Sequence, residues 1–142
     1  MKQTNKKTPY RPDTRGARNH NPLNIRIGNT WLGEHPNPTD SQFEQFVSDF
    51  YGLRAAMLIL RRYFRRYGQN TIRKIINTWA PPVENATTMY VALVSKACAL
   101  DPDEVFDFSD KEHVCLMVQE MARVESQLKI SYDEVAKAYD AA

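Results

Sequence analysis

The residues best suited to chemistry lie in Arg15-Gly-Ala-Arg-Asn-His-Asn-Pro-Leu-Asn-Ile-Arg26, in Trp31-Leu-Gly-Glu34 shortly after it, and at Glu125 near the other end of the chain. The first two stretches are dense in Arg, Asn and Trp, with Gly and Pro as punctuation. That mix suits a fixed loop lining a polar cleft better than a helix. Arg and Asn side chains read hydroxyl and amide groups, and an indole face stacks on a sugar ring. Arg18, Asn21, Asn24, Arg26 and Trp31 are therefore candidate binding residues. Glu125 is of a different kind. It falls four residues after Met121 and seven after Val118, so it emerges on the apolar face of a helical pattern. A carboxyl group against apolar walls resists ionisation, which is what a general acid near neutral pH requires. The alternative puts Glu125 at the edge of the stripe, where it reaches water at the helix end.

A second carboxylate would complete a glycosidase pair, since two acids across a sugar suit glycoside hydrolysis. Glu34 is the first candidate, with Glu44 and Asp49 behind it. Trp79 and Tyr90 either pack at helix ends or line a groove. The arginines of residues 61–66 either grip phosphates or form a solvated face. No recognition-helix pattern or RNA-binding aromatic signature accompanies them, so nucleic acid is not the expected partner. His20, His35 and His113 are scattered and Cys98 and Cys115 form no CxxC, so neither a metal nor a cofactor is expected. Both cysteines fall in apolar helical patterns, as buried thiols or one disulfide.

The elements that must position these groups are mostly helices. Residues 1–14, polar and basic with Pro9 and Pro12, read as a flexible arm, and 15–142 as one domain. Pro22, Gly28, Gly33, Pro36 and Pro38 forbid a long helix over 15–47, and the alternation around Ile25 and Ile27 predicts a short strand or ribbon. A helix is predicted from about Phe50 to Tyr67, capped by Ser48 or Asp49 and ended by Gly68. Thr71 caps a short helix that Ala80-Pro-Pro82 stops, and Thr87 or Thr88 opens another with Tyr90, Val91, Val94 and Ala97 inward. Ser109-x-x-Glu112 and Ser131-x-x-Glu134 read as capping boxes for helices over about 110–127 and on to Tyr139. The expected class is mainly α (α+β), with about five helices and a small extended element near the N-terminus.

Composition agrees with one folded domain: 142 residues, 42% hydrophobic and 25% charged. The net charge of +2 hides an asymmetry, with +9 over residues 1–100 and −7 over 101–142. The basic part either faces an anionic polymer or complements the acidic part within the fold. Met1-Lys-Gln-Thr-Asn-Lys-Lys7 has no apolar stretch, so no secretory signal is expected, and no apolar run approaches membrane-spanning length. Action at the cell wall would require release by lysis or carriage by a virion.

Arg15-Gly-x-Arg-Asn-x-Asn-Pro-x-Asn-Ile-Arg26 resembles the opening of a family found in phages, prophages and Bacteroidetes, labelled phage structural protein or lysozyme-like protein. The resemblance continues through Trp31-x-Gly-Glu34, Phe43-x-x-Phe46, Gly52-Leu-Arg-Ala55, Tyr67-Gly-x-Asn-Thr-Ile-Arg73 and Trp79-Ala-Pro-Pro-x-Glu-Asn85. Asn21–Arg26 with Trp31-x-Gly33 is also similar to elements of bacterial N-acetylglucosaminidases, and Tyr90-Val91 to the end of lytic transglycosylase domains. In both groups the catalytic Glu stands upstream in an Ala-x-x-Glu-Ser context. Here Met121-Ala-Arg-Val-Glu-Ser126 fits it downstream, as a circularly permuted lysozyme-like domain would, although Gln127 replaces the usual Gly. The resemblance implies a peptidoglycan glycosidase or lytic transglycosylase. Glu125 would be its acid, with Glu34 as second carboxylate. Asn21, Asn24 and Arg26 would sit on acetamido groups, Arg18 on the loop or a lactyl carboxylate, and Trp31, Trp79 and Tyr90 along the glycan. Its partners would be peptidoglycan strands and virion or lysis proteins. An inactive virion binding module and a nucleic-acid binder using Arg61–Arg66 are the alternatives.

Overall fold

Val114, Cys115, Met117, Val118, Met121 and Ala122 are completely buried, and together they make the helix that carries them the axis of the molecule. The computed structural model describes residues 10–82 and 86–142. Among these are six helices: α1 (Arg15–Arg18), α2 (Asp49–Arg66), α3 (Ile72–Trp79), α4 (Thr87–Cys98), α5 (Lys111–Ser126) and α6 (Tyr132–Ala141). The axial helix is α5. It packs against α4 on one side and α6 on another, α2 closes on α6, α3 lies on α4, and α1 touches the end of α5. The mainly α expectation holds, with six helices in place of about five. The expected extended element reduces to two isolated antiparallel bridges, Arg26 with Phe43 and Glu34 with Phe46.

Local chemistry explains most helix ends. Thr71 caps α3 by accepting from the Lys74 N–H at 3.2 Å, and Ser131 caps α6 by accepting from Glu134 at 3.2 Å. At α5 the cap is Asp110, which accepts from the His113 N–H at 3.2 Å, so the Ser109 box does not form. The Ser109 hydroxyl instead donates to Asp107 at 2.6 Å. Ser48 occupies the cap position of α2 without a side-chain bond, because Asp49 in the first turn is held by Arg11 and His20. In α4, Cys98 and not Ala97 faces inward. Both cysteines are free and buried.

Residues 1–9 of the expected arm, and Val83–Asn85 of the expected loop and of the Trp79–Asn85 motif, lie outside the described residues. Residues 10–14 are tied to the body: Arg11 pairs with Asp49 at 2.9 Å, and the Thr14 hydroxyl donates to the Ser126 carbonyl at 2.7 Å. No helix among the described residues is long and apolar enough to cross a membrane.

The loop from Gly16 to Asn24 is clasped between two helices, and glycine makes both contacts possible. A Cβ on Gly52 of α2 would stand 2.4 Å from the His20 carbonyl oxygen. A Cβ on Gly16 would stand 1.8 Å from Ser126 Oγ and 2.9 Å from both the Asn21 carbonyl and Asn24 Oδ1. Gly16→Ala is therefore expected to cost about 1–3 kcal/mol by overpacking, measured by denaturant unfolding. Adding Ser126→Ala should restore part of that loss and not all of it, because the Asn21 carbonyl remains in the way.

Candidate functional site

Glu125 sits in the last turn of α5, just before Gln127, whose φ of 59° ends the helix in the left-handed region. That is where the resemblance expects Gly, and where Gly carries no Cβ penalty. Three hydrogen bonds lash this turn to a loop a hundred residues away. Ser126 Oγ donates to the Pro22 carbonyl at 2.8 Å, Thr14 Oγ1 donates to the Ser126 carbonyl at 2.7 Å, and Asn24 Nδ2 donates to the Glu125 carbonyl at 3.1 Å. Asn24 Nδ2 also reaches Glu125 Oε1 at 3.3 Å. Asn24 holds a φ of 53°, a conformation Asn tolerates better than most side chains.

Above Glu125 opens a cleft of about 470 Å³ lined by Asn24, Arg26, Phe43, Trp79, Ala80, Pro81 and Glu125. The end of α3 supplies the Trp79 wall. The indole N–H of Trp79 donates to the Leu23 carbonyl at 3.2 Å, and its ring meets Tyr63 edge-on at 6.0 Å. Phe43 lines the same cleft, with the Arg26 guanidinium 4.7 Å from its ring centre. Burial pushes the Glu125 carboxyl above the usual glutamate range, and hydrogen bonding by Asn24 and Tyr90 offsets part of that rise. Tyr90 is 5% exposed. It lies beside the carboxyl and outside the cleft lining, its buried hydroxyl close to Glu125 but in no hydrogen bond of ordinary geometry, and burial beside Glu125 holds its phenol well above its ordinary range.

The structure separates several residues that the sequence groups together. Asn21 is completely buried and spends its amide inside the loop. Its Nδ2 donates to the Ile25 and Glu44 carbonyls at 2.9 and 3.0 Å, and its Oδ1 accepts from the Ile25 N–H at 2.9 Å. It shapes the loop and has nothing left for a ligand. Arg18 points to another surface and pairs with Asp13 at 2.9 Å. Trp31 does not line the Glu125 cleft. It lines a separate groove with Leu58, Arg61, Arg62 and Arg65, because the loop carries it over α2. Tyr90 is beneath the site, not along it.

Glu34 is also elsewhere. Its side chain lies against Glu44, a residue 6% exposed with one carboxyl oxygen lacking a hydrogen-bond partner. Burial first, and then the hydrogen bond and charge of Glu34, push Glu44 up to about 7. Phe43 and Glu44 are adjacent in extended chain and so face opposite ways: Phe43 toward the cleft, Glu44 into the body. Spacing did not single out Ser126, Gly16 or Phe43, although all three stand inside quoted motifs.

The Glu44 shift fixes a pH dependence. The folded chain keeps this proton up to about 7, whereas an unperturbed glutamate releases it near 4.5. The stabilising contribution is therefore full below about 4.5 and lost as pH rises through about 7. Thermal or denaturant unfolding between pH 4.5 and 8 should show stability falling by about 1–3 kcal/mol, and Glu44→Gln should flatten most of that slope.

No family model matches the chain. It is similar to protein P5 of Pseudoalteromonas phage PM2, 33% identical over 130 residues that cover 89% of this chain and 80% of that protein. An identity of that size over that share of both chains joins whole domains and not a shared motif. The chain belongs to the family of this phage protein.

Proposed function

We propose that this phage-family protein binds peptidoglycan glycan strands and cleaves a glycosidic bond, with Glu125 as the acid, on a lysozyme-like helical domain. One observation carries the reading: a carboxyl group with raised proton affinity in an open cleft that Trp79 and Phe43 also line. A protonated carboxyl is what the leaving sugar oxygen needs, and the Trp79 indole suits the apolar face of a sugar ring. The similarity of Met121–Ser126 to the Ala-x-x-Glu-Ser context of transglycosylases and glucosaminidases points the same way.

The chemistry follows from the number of acids. Glu34 is engaged with Glu44, and among the described residues lining the cleft Glu125 is the one carboxyl. A single acid can complete the reaction alone. Glu125 protonates the glycosidic oxygen as the bond to the anomeric carbon breaks. The substrate's own C6 hydroxyl then closes on that carbon and returns its proton to the Glu125 carboxylate. No water is consumed, and the product ends in an internal anhydro ring. Such a protein would act at the wall after lysis or from a virion.

Purified protein on peptidoglycan is expected to release fragments one water lighter than hydrolysis products. Glu125→Gln should lower the rate by about 10²–10⁴-fold, and the wild-type rate should fall as pH rises through the raised Glu125 pKa. Reducing-end products would reject the single-acid route. Tight binding with no cleavage by the wild type would leave a binding module in place of an enzyme.

A second reading rests on the other groove. Trp31 shares it with Arg61, Arg62 and Arg65, and Arg61, Arg62 and Arg66 have no ion-pair partner among the described residues. Unpaired guanidiniums beside an indole fit a phosphate-bearing polymer such as nucleic acid. On this reading single-stranded DNA is retarded on a gel at low salt, released steeply as salt rises, and ignored by Arg61→Gln/Arg62→Gln. No retardation at low salt removes it.

A further inference from the structure

The Glu125 cleft holds a charge that proton transfer does not use. Arg26 lines it, exposed, with its guanidinium carbon 4.7 Å from the Phe43 ring centre. Arg15 lies over the same ring at 4.5 Å, but Asp40 binds it through two N–H groups at 2.7 and 2.8 Å. Arg26 has no such partner among the described residues. Glu125 does not supply one: among the described residues no ion pair joins the two, and the Glu125 carboxyl is reached by Asn24 Nδ2 at 3.3 Å. The two groups share a cleft without forming a pair. Burial disfavours the charged form of Glu125, and a guanidinium does not lose its proton in a protein. The cleft therefore carries net positive charge in the state that would do acid catalysis.

The position of the guanidinium says what this charge can take. Held over an aromatic ring and outside any ion pair, it keeps its N–H donors free for two parallel hydrogen bonds to a carboxylate. We infer that Arg26 is a specificity-determining residue that binds a carboxylate on the glycan while a neutral part of the same glycan lies at Glu125. The ligand is then an acidic N-acetylated glycan, such as one with lactyl carboxylates on alternate sugars, and not its neutral chitin-type counterpart. This rests on the glycan reading above and adds the sign of the substrate's charge to it.

The test is a binding measurement on Glu125→Gln protein, so that strands are not consumed. Three probes are compared by calorimetry: peptide-free peptidoglycan strands, the same strands with their carboxyls converted to methylamides, and chito-oligosaccharides of matched length. Native strands should bind about tenfold or more tightly than the amidated ones. Adding Arg26→Gln should erase that difference and leave the chito-oligosaccharide affinity unchanged, while Arg26→Lys should keep part of it. Equal affinity for native and amidated strands overturns the role of Arg26 and leaves the glycan reading standing. Equal loss on all three probes in Arg26→Gln also overturns it, as a merely structural effect would. No binding of any probe removes the glycan reading and the inference together.

Discussion

The architecture depends on one seam, where the last turn of α5 meets the loop from Thr14 to Asn24. Two partners there are buried, Ser126 Oγ and the Pro22 carbonyl, and each would be costly to leave unmatched. The seam forms only because Gly16 lets the loop approach Ser126 more closely than any side chain would permit. Gly52 on α2 does the same from the opposite side. The loop is therefore rigid although it has almost no secondary structure, and its rigidity comes from tertiary hydrogen bonds and close backbone contact. Asn21 completes it from within, standing in for ladder bonds the loop lacks.

Rigidity in the loop sets the environment of Glu125. A carboxyl at a helix end would ordinarily swing into water and ionise. Here Asn24 holds it from one side and the Tyr90 ring backs it from another, while Trp79 is kept upright by its bond to the Leu23 carbonyl. The same loop thus contributes a hydrogen-bond donor to the acid and an anchor for the wall beside it. Burial raises the proton affinity more than those polar contacts lower it, and the balance leaves an acid that is shielded yet open on one side.

Helical periodicity made much of this visible beforehand. The stripe Val114, Met117, Met121 and the position of Glu125 beside it are local properties of one helix, and local geometry is what spacing records. Thr71 and Ser131 are legible for the same reason. The loop is not, because it has no period to project. Asn21 and Asn24 carry identical chemistry three residues apart, yet one is consumed by its own backbone and the other faces the acid. Trp31 and Glu34 are near Arg26 in sequence and leave its cleft because the chain turns over α2 after Gly28. Ser109 was outcompeted by Asp110, a stronger acceptor one residue closer to the helix. That the two ends of the chain meet came from motif likeness, since spacing carries no information across a hundred residues.

The two acids with raised proton affinity approach one another through the extended chain at residues 43–44, where Phe43 lines the Glu125 cleft and Glu44 is the next residue. Phe43 faces the cleft and Glu44 faces the body, and the Glu44 carbonyl accepts from the same Asn21 amide that fixes Ile25. Asn24 stands one residue before Ile25 and bonds Glu125. The protonation of Glu44 therefore acts on a backbone only a few residues from the group that positions the acid. Ionising Glu44 against Glu34 would place two negative charges in a poorly solvated space, and the backbone that must yield is the one carrying Asn24 and Phe43. The geometry of the cleft and the charge state beside it thus meet in one extended segment, with Phe43 on one face and Glu44 on the other.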